Sequence, residues 1–387
     1  MSASVVAVLK TSPATVIGDY RRLMELADYQ DFLARDAATL IKLNLSWTKY
    51  FPACSTQPWQ LEGVLRTLLA DDYAAEDLLP VENRTVVTDP REGCENNLWG
   101  RVLRYYGLPF IPLTEVEWEV RKFESPLLKL PEIFPDGIEV PVTFEGKNVL
   151  HLPTVKTHGH SVTTGAIKNA FGGLLKEVRH YAHKHIHEVL VDLMYIQKEL
   201  HRGVFAVMDG SVCGDGAGPR TMVPRIKNFI LASGDSVAID AVAARLMGFD
   251  PMEVPYLRMC HERELGCADC SKIRVVGEDV SGVNFGFKTR RSFVIWGDQM
   301  LRRGPLRFME RIALHSPAVM WAPAASNVYH DLMWYPTIGR KRIREFSASG
   351  WGRLFESYRR PVLASGTTSG GSRGQTDAVA AVAEHGR

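Results

Sequence analysis

The sequence predicts an α/β fold: a mostly parallel sheet flanked by helices, with a β-rich insertion and a C-terminal helical extension. From residue 5 to residue 277, short apolar runs of strand length alternate with longer stretches of helical periodicity. Such alternation favours parallel strands joined by helices that cross the sheet. The pattern is interrupted at residues 109–146 by prolines and short alternating runs, and it changes again near residue 287.

Each expected strand is a short apolar run bounded by glycine, proline or polar residues. The strands are expected over residues 5–9, 39–45, 85–90, 148–153, 204–208, 230–233 and 273–277. Helices are expected between them over residues 16–33 and 55–69, through Trp99 to Gly107, and over residues 236–247. The last of these has Asp235 as a capping carboxylate and Gly248 as its stop.

We expect residues 1–286 to form the α/β domain, with the β-rich insertion at about 109–146. Residues 287–362 form a basic helical extension, since residues 287–360 hold fourteen Lys or Arg and five Asp or Glu. The run of basic residues over 340–344 predicts a surface for an acidic partner or a membrane, with a solvated face as the alternative. Residues 363–387 are rich in serine and glycine near their start, which predicts a disordered tail.

The composition is that of an ordinary globular protein: 387 residues, 45% hydrophobic and 23% charged. A net charge of +2 gives no general case for nucleic-acid binding. The sequence has no long apolar run of membrane-spanning length and no secretory signal, so we expect a cytoplasmic location. Cys260, Cys267 and Cys270 could hold zinc or an iron–sulfur cluster, or belong to a connection that needs no metal.

The segment from Val149 to Leu193 holds seven of the twelve histidines. Lys156, His158 and His160 follow its first strand in a predicted polar loop, and a helix begins after Gly165. Lysine and histidine together can bind an anion and move a proton near neutral pH. We therefore predict His158, His160 and Lys168 as catalytic residues.

The predicted ligand-binding set consists of polar residues near strand ends or glycines. A lysine in a buried strand is costly unless its ammonium group meets an anion or a partner carboxylate. The glycine-dense segment 209–219 is expected to be a tight loop whose amides face an anion, although its spacing is neither a Rossmann nor a Walker motif. The set comprises Lys42, Asn44, Lys156, Asn169, Asp209 and Asp215.

His180, His183 and His187 have a spacing that would place them on one face of a helix. Such a face suits a metal site or a proton relay. We predict His183 and His187 as metal ligands. The alternative to an enzyme is a non-catalytic metal-binding or carrier protein that uses the His180–His187 cluster with Cys267 and Cys270.

Five sequence motifs carry a family resemblance. They are LPTVKTHGH, TGAIKNAFGG, GDGAGP, SGDSVAIDAVAARLMGFDP and the early IKLNL. Together they resemble the domain of unknown function 362 family over roughly residues 5–283. The layout is also distantly similar to nickel-dependent lactate racemase, which implies that Lys168 would carry a nickel-pincer nucleotide and that His183, His185 or His187 would ligate nickel. Many family members carry a ferredoxin domain with four-cysteine repeats, which this sequence does not contain.

We therefore expect an enzyme for a small anionic metabolite that carries a carboxylate. Its chemistry would be proton transfer, as in a racemase or isomerase, or the redox chemistry of an oxidoreductase. The sequence does not decide the cofactor: nickel, zinc, iron, an external iron–sulfur donor and no cofactor are all alternatives.

Overall fold

The structure is a computed structural model that describes residues 4–85, 87–176, 182–290, 300 and 326–360. Its strands are β1 (Val5–Lys10), β2 (Thr39–Lys42), β3 (Leu78–Glu82), β4 (Ile111–Pro112), β5 (Trp118–Arg121), β6 (Ile138–Pro141), β7 (Asn148–His151), β8 (Thr154–His158), β9 (Val162–Thr163), β10 (Gly203–Ala217), β11 (Thr221–Ser233) and β12 (Arg274–Gly277). Within these described ranges, ten strands form one sheet and β5 pairs with β6.

The main sheet has the strand order β12-β1-β11-β10-β7-β2-β3-β4, and β8 and β9 branch from β10. The ladders β4-β3-β2-β7-β10 are all parallel, as is β1 with β12. β11 pairs antiparallel with both of its neighbours. The predicted α/β class with a mostly parallel sheet is confirmed.

The helices are α1 (Val16–Leu26), α2 (Pro58–Ala70), α3 (Pro90–Asn96), α4 (Trp99–Tyr105), α5 (Leu130–Ile133), α6 (Ala166–Leu174), α7 (Ile186–Leu200), α8 (Ser236–Met247), α9 (Pro255–Glu262), α10 (Arg340–Ser347) and α11 (Gly350–Ser357). A π-helix spans Val328–Gly339. The sheet strands contribute side chains to two apolar cores, because successive side chains point to opposite faces of the sheet. Val149 belongs to the core beneath α6–α9, whereas Leu150 belongs to the core beneath α1, α2 and α4.

The third strand lies earlier than the sequence predicts. β3 is Leu78–Glu82, and the described residues from 85 to 90 form only an isolated bridge between Thr85 and Thr88 before α3 begins at Pro90. Pro80 lies inside β3, which makes the segment look unlike a strand. Burial of Leu78 and Val81 favours this position nevertheless.

The glycine-dense segment after residue 209 is not the predicted loop. β10 continues to Ala217 and pairs with β11 as a long hairpin that extends past β7, beyond the sheet's carboxyl edge. Its glycines allow close approach: a Cβ at Gly214 would lie 2.2 Å from Met222 Sδ and 2.9 Å from Lys156 Cβ. Gly218 likewise approaches the Thr157 carbonyl oxygen. The glycines therefore allow β8 to pack closely against the hairpin.

The described part of the C-terminal extension is helical and lies against the sheet body. Phe346, Trp351 and Phe355 join the core beneath α1 and α2, and Trp334 packs with Trp47 near the hairpin. In the described ranges, the helices are all too short or too polar to cross a membrane. The boundary near residue 287 and the tail over 363–387 stay predictions, because residues 291–299, 301–325 and 361–387 lie outside the described residues.

Candidate active site at the carboxyl edge of the sheet

Lys42 ends β2 inside a buried ion pair. Its Nζ lies 2.7 Å from Glu82 Oε1, and the exposed fractions of the two side chains are 1% and 3%. Nζ also donates a hydrogen bond to the Leu43 carbonyl oxygen at 2.6 Å. α6 passes directly over this pair: a Cβ at Gly172 would lie 3.4 Å from Lys42 Nζ, and one at Gly173 would lie 3.2 Å from Lys42 Cε. The paired glycines thus accommodate an internal ion pair.

Lys156 lies in β8 and is completely buried. Its Nζ donates to Asn44 Oδ1 at 2.5 Å, to Thr154 Oγ1 at 2.8 Å and to the Cys54 carbonyl oxygen at 2.9 Å. These acceptors are all neutral, and no ion pair joins Lys156 to a carboxylate among the described residues. Burial lowers the pKa of Lys156 to about 8. The site therefore contains an internal cation held by dipoles.

A chain of amide and imidazole groups leads from Asn44 into the core. Asn44 Nδ2 donates to Asn169 Oδ1 at 3.3 Å, and Asn169 Nδ2 donates to the Lys42 carbonyl oxygen at 2.9 Å and lies 3.4 Å from His151 Nδ1. His151 Nε2 lies 2.6 Å from Gln197 Oε1. Burial lowers the pKa of His151 to about 3, so its ring is neutral. Donation from Nε2 to Gln197 then leaves Nδ1 to accept from Asn169.

His158 ends β8 with a fixed tautomer. Its Nδ1 accepts from the backbone N–H groups of His160 at 3.1 Å and Ser161 at 3.2 Å. Burial lowers the pKa of His158 well below its usual value, and nearby Lys168, His160 and His183 lower it further. The ring is therefore neutral, with its proton on Nε2. It can donate a hydrogen bond from Nε2 but is a poor general base.

Two further histidines and a lysine lie around this ring, and we call His158, His160, His183 and Lys168 the basic cluster. The ring centroids of His158 and His160 are 5.9 Å apart, and those of His160 and His183 are 5.7 Å apart. Phe171 bridges the remaining members: its ring centroid lies 5.4 Å from that of His183 and 5.5 Å from Lys168 Nζ. The predicted catalytic residues are thus brought together with His183.

α6 is fixed at its start by a carboxylate from another helix. Asp240 of α8 accepts from the N–H groups of Ala166 at 2.6 Å and Ile167 at 3.2 Å. A Cβ at Gly165 would lie 2.0 Å from Asp240 Oδ1, so glycine leaves room for this cap. Burial raises the pKa of Asp240 to about 7. Asp240 therefore positions the helix that carries Lys168.

Two members of the predicted ligand-binding set lie in other surroundings. The Asp209 carboxylate is buried and accepts from Tyr20 Oη at 2.6 Å, Trp59 Nε1 at 2.9 Å and Ser211 Oγ at 2.8 Å. It links β10 to α1 and α2, on the opposite face from α6. Asp215 lies on the outer hairpin, where it accepts from the Lys288 N–H at 3.1 Å. The structure does not bring either carboxylate to the basic cluster.

The two predicted metal ligands, His183 and His187, do not both lie on α7. α7 begins only at Ile186, so His183 precedes the helix, while His187 lies within it and stacks on Tyr256 with 6.1 Å between ring centroids. His180 lies outside the described residues. Over the described ranges, no group of three His, Cys, Asp or Glu side chains has the arrangement of a metal site. Burial also raises the pKa of the Cys260 thiol to about 12.

Sequence reasoning did not select His151, Gln197 or Asp240 as site residues. A histidine in a buried strand was the available signal for His151. An aspartate inside an apolar helix was the signal for Asp240. Their partners lie 46 and 74 residues away, so their roles depend on the tertiary fold.

Comparison with known proteins gives a family and a distant relative. A relative from Synechocystis sp., "Thylakoid-associated protein sll1697", is 26% identical over 121 residues. The match covers 30% of this chain and 37% of that protein. A family described as "Domain of unknown function (DUF362)" matches residues 39–245, which is more than half of the chain. The chain therefore belongs to the domain of unknown function 362 family.

Proposed function

We propose that the protein is an enzyme that binds a small anionic, carboxylate-bearing metabolite at the basic cluster and transfers a proton to or from it. The observation that carries this proposal is the convergence of His158, His160, His183 and Lys168 from three chain segments. A cytoplasmic location is part of the proposal.

The electrostatics of the cluster favour an anionic ligand. The pKa of His158 is lowered by burial and then by the neighbouring basic groups, which oppose protonation of its ring. A bound carboxylate would offset this repulsion, because an opposite charge nearby favours the protonated form of a histidine. Lys168 supplies charge from α6, whose start is held by Asp240.

The two histidines of the β8–β9 turn suit different roles. His158 is held neutral with Nδ1 occupied, so it would donate a hydrogen bond from Nε2 to a ligand oxygen. His160 is half-buried and lies next to it. Histidine is the side chain that most often transfers protons in enzymes, so we assign the proton transfer to His160.

A buried polar network connects β2 and β8 to the helix that carries Lys168. Lys156 holds Asn44, which in turn contacts Asn169 on the same helix as Lys168. This network would hold α6 in register with β2 and β8 when a ligand binds. We infer that Lys42, Lys156, Asn44 and Asn169 position the site, with Lys156 adding positive potential.

The test combines identification of the ligand with proton exchange. Small molecules released from denatured protein are identified by mass spectrometry, and 2-hydroxy, 2-amino and 2-keto carboxylates are incubated with the protein in D₂O. We expect enzyme-dependent loss of a proton signal beside the carboxylate in NMR spectra. Turnover that needs an added electron acceptor, without proton exchange, would favour the redox alternative.

Variants assign the roles. His160→Gln is expected to lose exchange by about 10²- to 10⁴-fold while still binding substrate. His261→Gln is the matched control, since His261 is also a half-buried histidine but lies on α9. Equal exchange rates in the two variants would remove His160 from the mechanism.

Lys168→Ala is expected to abolish ligand binding and keep the fold, because a half-buried helix lysine contributes charge more than packing. Lys198→Ala on α7 is the matched control, an exposed lysine on a neighbouring helix. Calorimetry with the identified ligand measures the difference. Normal affinity in Lys168→Ala would count against the proposed site.

A further inference from the structure

The π-helix Val328–Gly339 is fixed to the protein by one of its faces. His330 and Trp334 are buried on that face. The Trp47 indole N–H donates to Asp331 Oδ1 at 2.7 Å, and Tyr335 Oη donates to the Tyr50 carbonyl oxygen at 3.0 Å. The orientation of the helix is therefore set by specific contacts.

The opposite face of this helix is apolar and exposed. Val328, Leu332, Met333 and Ile338 are 49%, 70%, 60% and 45% exposed, and we call them the outer apolar face. Single exposed hydrophobic residues are ordinary, but a cluster marks an interaction surface. Among the described residues, eight large hydrophobic side chains are exposed, and four of them belong to this one helix.

Positive charge adjoins the outer apolar face. Arg340, Lys341 and Arg344 of α10 are exposed directly after the helix. Arg342 differs from them, because its guanidinium donates to the Met222 carbonyl oxygen at 2.6 Å. The outward charge of the predicted 340–344 cluster therefore comes from three residues, and Arg342 attaches α10 to the hairpin.

We propose that the outer apolar face, together with Arg340, Lys341 and Arg344, binds the surface of an anionic lipid bilayer. A bilayer interface offers apolar depth beside negative headgroups, which matches exposed aliphatic side chains flanked by basic ones. An acidic protein surface would complement the charges but not the four aliphatic side chains. The twelve-residue helix lies along the interface, since it is far shorter than a bilayer-spanning helix.

The test is co-sedimentation of the full chain with vesicles of phosphatidylcholine alone or mixed with phosphatidylglycerol. We expect binding to the mixed vesicles that weakens as salt is raised, since exposed charges are screened over about 8 Å at physiological ionic strength. The double variant Leu332→Ser/Met333→Ser should lose at least about tenfold in partitioning, because two apolar side chains no longer enter the interface.

The matched control is Tyr105→Ser/Val120→Ser, which removes two side chains of similar exposure (49% and 57%) elsewhere on the molecule. It should bind vesicles like the unmodified protein. Thermal unfolding checks that each variant folds.

Three outcomes would overturn the proposal. One is no binding of the unmodified protein to mixed vesicles. Another is equal binding by Leu332→Ser/Met333→Ser, with loss only in Arg340→Ser/Lys341→Ser/Arg344→Ser, which would indicate charge attraction without docking of the apolar face. The last is a dimer in sedimentation analysis that Leu332→Ser/Met333→Ser abolishes, which would make a second copy the occupant. All three are independent of turnover.

Discussion

Two buried lysines at the carboxyl edge of the sheet have opposite surroundings. Lys42 on β2 faces Glu82 at 2.7 Å, so its charge is neutralised inside the protein. Lys156 on β8 meets an amide oxygen, a hydroxyl and a backbone carbonyl, which are dipoles without net charge. A paired internal cation adds little field at a distance, whereas one held by dipoles keeps its positive potential. The comparison separates a lysine that holds the fold from one that can also influence a ligand.

The largest expected effect breaks the Lys42 pair. Glu82→Gln leaves a buried ammonium without its carboxylate and should lower the free energy of unfolding by about 3–5 kcal/mol. Denaturant titration measures the loss. Glu115→Gln is the control, because its partner Arg91 is 63% exposed and such surface pairs contribute about 0–1 kcal/mol. Similar losses in both variants would contradict the importance of burial.

The next effect concerns Lys156 and pH. Its pKa is about 8 in the fold against the usual 10.5, so between these values the unfolded chain holds more protons than the native protein. Stability of the natural protein relative to Lys156→Met should therefore rise from pH 8 to pH 10.5, by up to about 3 kcal/mol. Below pH 8 the difference should be constant. If the difference in stability between the natural protein and Lys156→Met does not change with pH, Lys156 is not desolvated.

At neutral pH, Lys156→Met should cost about 1–3 kcal/mol, because Asn44, Thr154 and the Cys54 carbonyl lose a donor while a buried charge is removed. This loss is expected to be smaller than that in Glu82→Gln. Ligand affinity measured on the same variant should also fall. A loss of stability as large as that of Glu82→Gln would erase the distinction between the two lysines.

The smallest effect tests the space over the ion pair. Gly172→Ala places its Cβ at ordinary contact distance from Lys42 Nζ and gains helix propensity, so its net effect should stay within about 1 kcal/mol. Gly173→Ala should cost more, because its Cβ would lie 3.3 Å from Phe144 Cε2 as well as close to Lys42. Thermal unfolding ranks the two variants. The reverse ranking would mean that α6 can shift away from β2.

Local patterns in the sequence predict much of this fold. Apolar runs locate β1, β2, β7 and β12, and Asp235 and Gly248 mark the ends of α8, where Asp235 accepts from two backbone N–H groups. The hairpin could not be found in this way. Glycines at 210, 214 and 218 are typical of a loop, but here they allow strands and side chains to approach closely. That requirement is visible only once β8 and β11 are in place.

The site residues, like the strands, could be predicted where they depend on local sequence. His158, His160 and Lys168 lie within eleven residues of each other, so their meeting depends mainly on a local strand, turn and helix. Asp209 shows the limit of this reasoning. It ends a predicted strand at the expected edge, yet its side chain faces Tyr20 and Trp59 across the sheet. Because β10 continues past Asp209, the alternation of side chains along the strand decides which face of the sheet the Asp209 carboxylate lies on.

The position of β1 has a consequence for synthesis of the chain. β1 lies between β11 and β12, with Ala7 opposite Ala232 and Val5 opposite Arg274. Its first neighbour therefore emerges from the ribosome more than two hundred residues later. Until then, β1 lacks both of the strands that pair with it in the described structure, and unpaired apolar strands are prone to aggregate or engage chaperones. This sheet can be completed only after β12 has been synthesised, although strands β2, β3 and β7 can pair well before.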